Sequence, residues 1–264
     1  RRSFDHFKIL HRNERRTAMR IDVSLVPGEI AAKDVSGSVV VIIDVLRATS
    51  SIATALASGC EEVIPAESIE EAITLANGYK RSDYVLGGER RGVPVEGFDL
   101  GNSPQEYDGP RVAGKKVIMA TTNGTSAINK YGIAREIFTA CFLNADAVIG
   151  ACEAYDDCDL VLVCAGQDGR FCMEDTLCAG LMATRIAHDK GAEMSDSAKA
   201  ASLLYQQRKG SIEDELLRCD HGAYLVGIGY EQDVRYCSRN SILDVVPKVY
   251  DRRVIRRARG GPEE

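Results

Sequence analysis

One of the apolar blocks of this chain is short and wholly β-branched. Val39-Val-Val-Ile-Ile runs straight into Asp44. Apolar character on both faces of such a run predicts a strand buried in the middle of a sheet. Ala48-Thr-Ser-Ser-Ile-Ala-Thr-Ala-Leu-Ala follows and stops at Gly59, which predicts a helix with Thr49 or Ser50 at its start. The alternation continues. Glu62-Val-Ile-Pro reads as a strand, and Ser68 to Ala76 as a capped amphipathic helix with Gly78 just beyond its end. Tyr84-Val-Leu-Gly-Gly opens another strand and leads into a long Gly- and Pro-bearing loop from about 87 to 110. Lys116 to Thr122 then repeats the pattern: a strand, an Asn123-Gly124 turn and a helix from Thr125. Further strands are predicted at 136–140 and 159–165, and helices at 146–152 and 174–187. The last third reads as mainly helical, over 196–208, 212–218 and 223–227, with a strand-like piece near Val245.

Strands and helices in alternation predict an α/β fold. The expected sheet is mostly parallel or mixed, with helices on both faces, built as one unit or as two packed α/β lobes with a boundary near 130–150. In such sheets ligands bind beyond the carboxyl ends of the strands. That rule selects Asp44, the 121–125 turn and the segment 166–175.

Length and composition narrow the class. At about 150 residues per domain, 264 residues suit one large unit or two modest lobes. The net charge of −6 argues against a nucleic-acid or membrane binder, and no apolar run approaches the ~20 residues of a membrane span. Nine cysteines, an odd number without a CxxC pair, argue against a disulfide framework or structural zinc and fit buried thiols in a reducing cytoplasm. Residues 1–18 are basic and lack the apolar stretch of a secretory signal. They read as a disordered extension ahead of an initiator at Met19. The functional unit is expected over 19–250, with a charged tail from 251.

Four clusters carry candidate chemistry. Asp44, Arg47, Thr49 and Ser50 crowd one strand end. The acid can hold a metal or attack phosphorus, and the guanidinium fork suits phosphate or sulfonate. Gly87-Gly-Glu89-Arg90-Arg91-Gly92, continuing to Asp99, Asn102 and Pro104, is a long charged loop of the kind that is functional or disordered, and Phe98 and Leu100 can tie it down. Thr121-Thr122-Asn123-Gly124-Thr125 offers hydroxyls and helix N–H groups to an oxyanion without being a P-loop. Gly166-Gln-Asp168-Gly-Arg170, with Glu174-Asp175 opening a helix, suits either capping or a Mg²⁺ site of hard oxygens. His188 reads as a helix-end residue. His221, before Gly222, is a candidate for proton transfer.

The stretches IDVLRATSSI (43–52), GGERRGVPVEGFDLGNSPQEY (87–107), TTNGTSAI (121–128) and CAGQDGRFCMEDTLCAG (164–180), in this order, resemble the 2-phosphosulfolactate phosphatase family. The likeness runs from about Met19 to Val249, and 233–240 matches more loosely. It implies an α/β fold and Mg²⁺-dependent hydrolysis of (R)-2-phospho-3-sulfolactate to 3-sulfolactate and phosphate, a step toward coenzyme M. With this resemblance, the catalytic set is Asp44, Arg47 and Glu89. Substrate contacts fall to Arg90, Arg91, Asn102, Thr121, Thr122, Asn123, Gly124, Thr125 and Arg170. Mg²⁺ falls to Asp44, Asp99, Glu174 and Asp175. The expected partner is a small phosphorylated acid, with no nucleic acid and no membrane, and self-association is open. The rival readings are a phosphatase for another phosphorylated hydroxy acid and a non-catalytic sensor of an anionic metabolite. A haloacid-dehalogenase-like site would need an acid where Leu46 stands.

Overall fold

The computed structural model describes residues 19–26, 28–121 and 131–257. The basic segment 1–18 and most of the 121–125 turn therefore lie outside the described residues. Eleven strands form one sheet, ordered β5-β4-β6-β3-β11-β10-β7-β2-β8-β1-β9. The strands are β1 (Arg20–Ser24), β2 (Val39–Ile43), β3 (Glu62–Ala66), β4 (Tyr84–Arg90), β5 (Val93–Pro94), β6 (Lys116–Ala120), β7 (Glu136–Ala140), β8 (Leu160–Cys164), β9 (Glu193–Met194), β10 (Pro247–Tyr250) and β11 (Arg253–Arg256).

Two parallel blocks make up this sheet. β7, β2, β8, β1 and β9 form one, and β3, β6 and β4 the other. The antiparallel β10–β11 hairpin joins them, and each of its strands shares only one register pair with its neighbour, Lys248 with Phe138 and Val254 with Val63. Through this joint the blocks run in opposite directions along the ladder. Residues after β2 and at the end of β4 nevertheless line the same cavity. The sheet therefore bends sharply at the hairpin, where little pairing resists the bend.

Helix α1 (Ala48–Ala57) sits inside that bend, packed on β3, β7, β10 and β11. Its residues 48–56 are all buried, which is why its sequence is apolar and small nearly all round rather than amphipathic. By contrast, α2 (Ile69–Ala76) is amphipathic, and its Ser68 cap accepts from the Glu71 backbone N–H at 3.0 Å. A short α3 (Gly109–Val112) precedes β6, and α4 (Ala145–Cys152) follows β7. The long α5 (Met173–Lys190) ends at Gly191, whose φ of +63° closes the helix in a left-handed cap. It packs along α6 (Asp196–Arg208), and α7 (Ile212–Arg218), α8 (Asp220–Gly227) and α9 (Glu231–Cys237) close one side of the site.

The α/β expectation is met, with a mixed and mostly parallel sheet. Three local differences stand out. β1 lies inside the sheet beside β8, although its alternating Arg20-Ile-Asp-Val-Ser pattern was read only as the start of a chain. The helix at 231–237 was not anticipated. The segment from 251, read as a charged tail, supplies β11, because Val254 fills a wholly buried place in the joint. Among the described residues, no helix is long and apolar enough to cross a membrane.

Two glycines hold the loop after β4 against the sheet. A Cβ on Gly87 would lie 2.2 Å from the Tyr107 hydroxyl, and one on Gly88 would lie 2.3 Å from the Ala120 carbonyl oxygen. The second obstacle is backbone and cannot swing aside. Gly88→Ala is therefore expected to push β4 off β6 and lose about 1–3 kcal/mol, the usual penalty of overpacking. Urea unfolding checks this: the midpoint falls while the slope is kept.

Candidate active site

The site begins with an acid at the end of an apolar strand. All five residues of β2 are buried, and Asp44 follows them at 6% exposure. Its Oδ1 accepts from the Ala48 backbone N–H at 3.1 Å. The Thr49 hydroxyl accepts from the Asp44 backbone N–H at 3.0 Å and donates to the Ala140 carbonyl at 2.7 Å. Ser50 donates to the Val45 carbonyl at 2.7 Å. The hydroxyls expected to cap α1 instead fasten the turn before it, and Asp44 itself meets a free N–H of the helix start. Capping accounts for only part of this residue. Burial raises the Asp44 carboxyl to about 6; His221 and the Ala48 N–H work against this, and the charges of Glu89 and Glu174 add to it.

Asp175, in the first turn of α5, reaches across to the same strand ends. Its oxygens accept from the Val45 N–H at 2.8 Å and the Gly166 N–H at 3.0 Å. It thus pins the ends of β2 and β8 together. Burial, with the nearby charges of Glu174 and Asp44, lifts its carboxyl well above the ordinary range. Glu174 beside it is also buried. Burial works to raise it, but the hydrogen bond and charge of His221 prevail and hold it below the usual value. Its Oε1 lies 3.1 Å from His221 Nδ1, and its Oε2 accepts from the Cys219 thiol at 3.4 Å.

Arg47 is buried at 3% exposure and is fully engaged. It donates to Asp233 at 2.6 Å and to the Gly92 carbonyl at 2.7 Å, and it stacks over the Tyr230 ring at 4.3 Å. The other Asp233 oxygen accepts from Ser103 at 2.7 Å. Arg47 thereby ties α1 to α9 and to the 89–92 loop. Glu89 accepts from the Gly92 N–H at 2.7 Å, which folds that loop back on itself. Arg91 follows with φ at +51°, as does Asp168 across the site. Two non-glycine residues in left-handed backbone at one cavity is the kind of strain that gathers where side chains must be aimed.

A cavity of about 410 Å³ opens between these elements, lined by Asp44, Arg47, Glu89, Arg91, Asn102 and Asp168 among others. Asn102 is 5% exposed, and its Oδ1 finds no hydrogen-bond donor among the described residues. A second cavity of about 630 Å³ adjoins it, sharing Gln167, Asp168 and His221, and extends over Arg170, Cys172, Glu174 and Arg218.

A family model described as 2-phosphosulpholactate phosphatase matches residues 24–252. The chain belongs to the 2-phosphosulfolactate phosphatase family. A "Probable 2-phosphosulfolactate phosphatase" of Clostridium botulinum (strain Eklund 17B / Type B) is 39% identical over 234 residues, covering 88% of this chain and 97% of the relative. One of Carboxydothermus hydrogenoformans is 42% identical over 230 residues, covering 87% and 93%. One of Clostridium beijerinckii is 38% identical over 237 residues, covering 89% and 99%. Membership places the chain among phosphoric monoester hydrolases.

Against that family background, the structure gathers some of the residues read from sequence and separates others. Asp44, Arg47, Glu89, Arg91 and Asn102 share the first cavity, and Arg170 and Glu174 line the second. Asp99 does not join them. It pairs with Arg81 and accepts from the Leu86 N–H at 2.8 Å, so its place is to pin the loop to β4. Asp175 is committed to backbone N–H groups. Arg90 is exposed and lines neither cavity, and Thr121 is buried at the end of β6 and also lines neither. Thr122, Asn123, Gly124 and Thr125 lie outside the described residues. Sequence reasoning passed over Asp233, Tyr224 and the thiols Cys172 and Cys219. Cys172 lies within the 164–180 stretch without standing out there, and the other three come from helices α8 and α9 or their caps and meet the site only through the fold.

The Arg47–Asp233 pair yields a clear test. Removing Asp233 alone leaves a buried guanidinium uncompensated, a loss of about 3–5 kcal/mol, whereas replacing both partners by apolar residues is close to neutral. In denaturant unfolding, Asp233→Leu is expected to be far less stable than the Arg47→Met, Asp233→Leu double variant. Equal loss in both would show that the guanidinium left behind by Asp233→Leu carries no penalty of its own.

Proposed function

We propose that this chain hydrolyses 2-phosphosulfolactate to sulfolactate and phosphate, with Mg²⁺, in the cavity headed by Asp44. The observation that carries the reading is the oxygen cluster itself. Asp44 is a carboxylate raised by burial, with the charges of Glu89 and Glu174 adding to the rise, and the buried Asn102 Oδ1 in the same cavity lacks a donor among the described residues. Hard oxygen donors lining one cavity, Asp44, Glu89 and Asn102 buried among them, suit a small divalent cation. Asp44, Glu89, Asn102 and Asp168 would hold the ion. Bound Mg²⁺ would neutralise charge building on the phosphoryl oxygens and help activate water.

The side chains present supply the rest. Arg91 and Arg170 border the two connected cavities and offer guanidinium forks to phosphate, sulfonate or carboxylate. Their separate placement suits a substrate carrying anionic groups at both ends. His221 is oriented through Nδ1 by Glu174. As the phosphorus–oxygen ester bond breaks, the leaving oxygen takes the proton from Nε2. Arg47 takes no part in binding on this reading. It braces the wall that carries Glu89 and Arg91.

Phosphate release from 2-phosphosulfolactate and from a panel of small phosphorylated acids, with Mg²⁺ or with EDTA, tests the reading. Mg²⁺-dependent release favouring the sulfonated acid is expected. Release only from another phosphorylated acid would keep the chemistry and reassign the substrate. Tight ligand binding without release would favour a sensor.

The raised Asp44 carboxyl sets a pH dependence. Its folded value, about 6, lies above the ordinary 3.8, so the metal-free fold is favoured by this group at low pH and loses that contribution as pH rises through about 6. Protons and Mg²⁺ compete for the same oxygens. The rise in melting temperature on adding Mg²⁺ is therefore expected to be small at pH 5 and to grow up to about pH 7. Asp44→Asn should flatten that trend. A Mg²⁺ effect independent of pH in the parent protein would remove Asp44 from the ion.

A further inference from the structure

Beside the oxygen cluster lies a second group of donors of a different chemical kind. Cys172 caps the start of α5, Glu174 stands in the first turn of that helix, and His221 stands in the first turn of α8. One donor atom from each, a thiol sulfur, a carboxylate oxygen and an imidazole nitrogen, lie within 4.8 Å of one another. Cys172 and Glu174 are buried, and the His221 side chain is 16% exposed. All three line the wall of the larger cavity, so an ion has a route to them.

The geometry points to a site for a thiophilic divalent cation, Zn²⁺ or one of similar softness, held by Cys172 Sγ, Glu174 and His221, with the fourth position open to the cavity. Bonds of roughly 2.3 Å to sulfur and 2.0–2.2 Å to nitrogen and oxygen place tetrahedral ligands roughly 3.3–3.6 Å apart. The carboxylate oxygen and imidazole nitrogen already stand at 3.1 Å, so the sulfur needs only a modest approach. Cys219 donates to the other Glu174 oxygen at 3.4 Å and fixes the orientation of that carboxylate. Mg²⁺ is a poor occupant, because it demands oxygen ligands and gains little from sulfur or imidazole. The softer ion takes the place of the Cys172 thiol proton, and of any proton on the coordinating imidazole nitrogen, as the metal–ligand bonds form.

Occupation would break the His221–Glu174 hydrogen bond and hold both groups on the metal. On the proton-transfer role proposed above, Zn²⁺ is then an inhibitor that Mg²⁺ does not displace from these ligands. Binding itself does not depend on that role, and its readout is separate from activity.

Titrating the metal-free protein with Co²⁺ in the presence of excess Mg²⁺ tests the site. The expected result is one equivalent bound, with the intense sulfur-to-cobalt charge-transfer absorption of a thiolate ligand and net release of protons on binding. In Cys172→Ser that absorption disappears and Zn²⁺ affinity falls by at least about 10–100-fold, the cost of losing even a supporting contact at a metal site. Phosphate release with Mg²⁺ survives in that variant, and its inhibition by Zn²⁺ is lost. A Co²⁺ complex of the parent protein without sulfur absorption would overturn the site without reference to any variant. Equal Zn²⁺ affinity in the parent and Cys172→Ser would overturn it as well.

Discussion

Everything around the cavity depends on keeping one carboxylate, Asp44, at the end of a strand that has no contact with water. A charge in such a place is unfavourable unless opposite charge or hydrogen bonds meet it. The first helical N–H groups of α1 meet part of it, through Ala48. Burial is what sets the carboxyl near 6 rather than near 4, and the charges of Glu89 and Glu174 add to the rise. A stabilising design would have removed Glu89 or Glu174. Their retention beside Asp44 is intelligible if the cluster is completed by a cation.

That demand shapes the fold around it. The strand end must be rigid, so Thr49, Ser50 and Asp175 spend their polar atoms on backbone groups at the ends of β2, β7 and β8. The opposite wall comes from the other parallel block, which reaches the same cavity only because the sheet bends at the weakly paired β10–β11 joint. A helix placed in such a bend is buried on every side, and α1 is built accordingly from alanine, serine, threonine and two larger apolar residues. The buried Arg47–Asp233 pair then fixes α9 and the 89–92 loop to the start of that helix. A small set of buried polar contacts thus holds together pieces that lie up to 186 residues apart in sequence.

The strands and helices of the core were legible because their apolar periodicity is strong. β2 and β8 are uninterrupted, and α2 carries its own cap signal. β1 was not recognised because five residues alternating with Arg and Asp look like any solvent-facing segment; its pairing with β8, not its composition, makes it a strand. β11 was missed for a related reason, since only Val254 of its four residues is buried among arginines. In the site, Asp44 and Glu89 were legible as acids at strand ends and Glu174 as an acid opening a helix. Asp99 stands apart from these residues, because a Gly- and Pro-rich loop does not reveal where each of its acids points; it pairs with Arg81, 18 residues earlier. Arg47 was visible, but its partner was not. Asp233 comes from a helix whose position depends on the whole C-terminal third.

The balance of charge in the smaller cavity separates an enzyme from a passive binder of anions. Asp44, Glu89 and Asp168 line it, against the guanidinium groups of Arg47 and Arg91 and the imidazole of His221. Arg47 is already matched by Asp233, so its charge is largely cancelled where it stands. That leaves Arg91 as the guanidinium there without a carboxylate partner among the described residues, facing three acids. Like charges lining one cavity repel, and they do not favour a phosphate ester that arrives without a cation. A protein selected only to sense an anion has no reason to assemble that field. One that must bring a divalent cation and a phosphate together does, because the acids bind the cation and the cation then binds the ester.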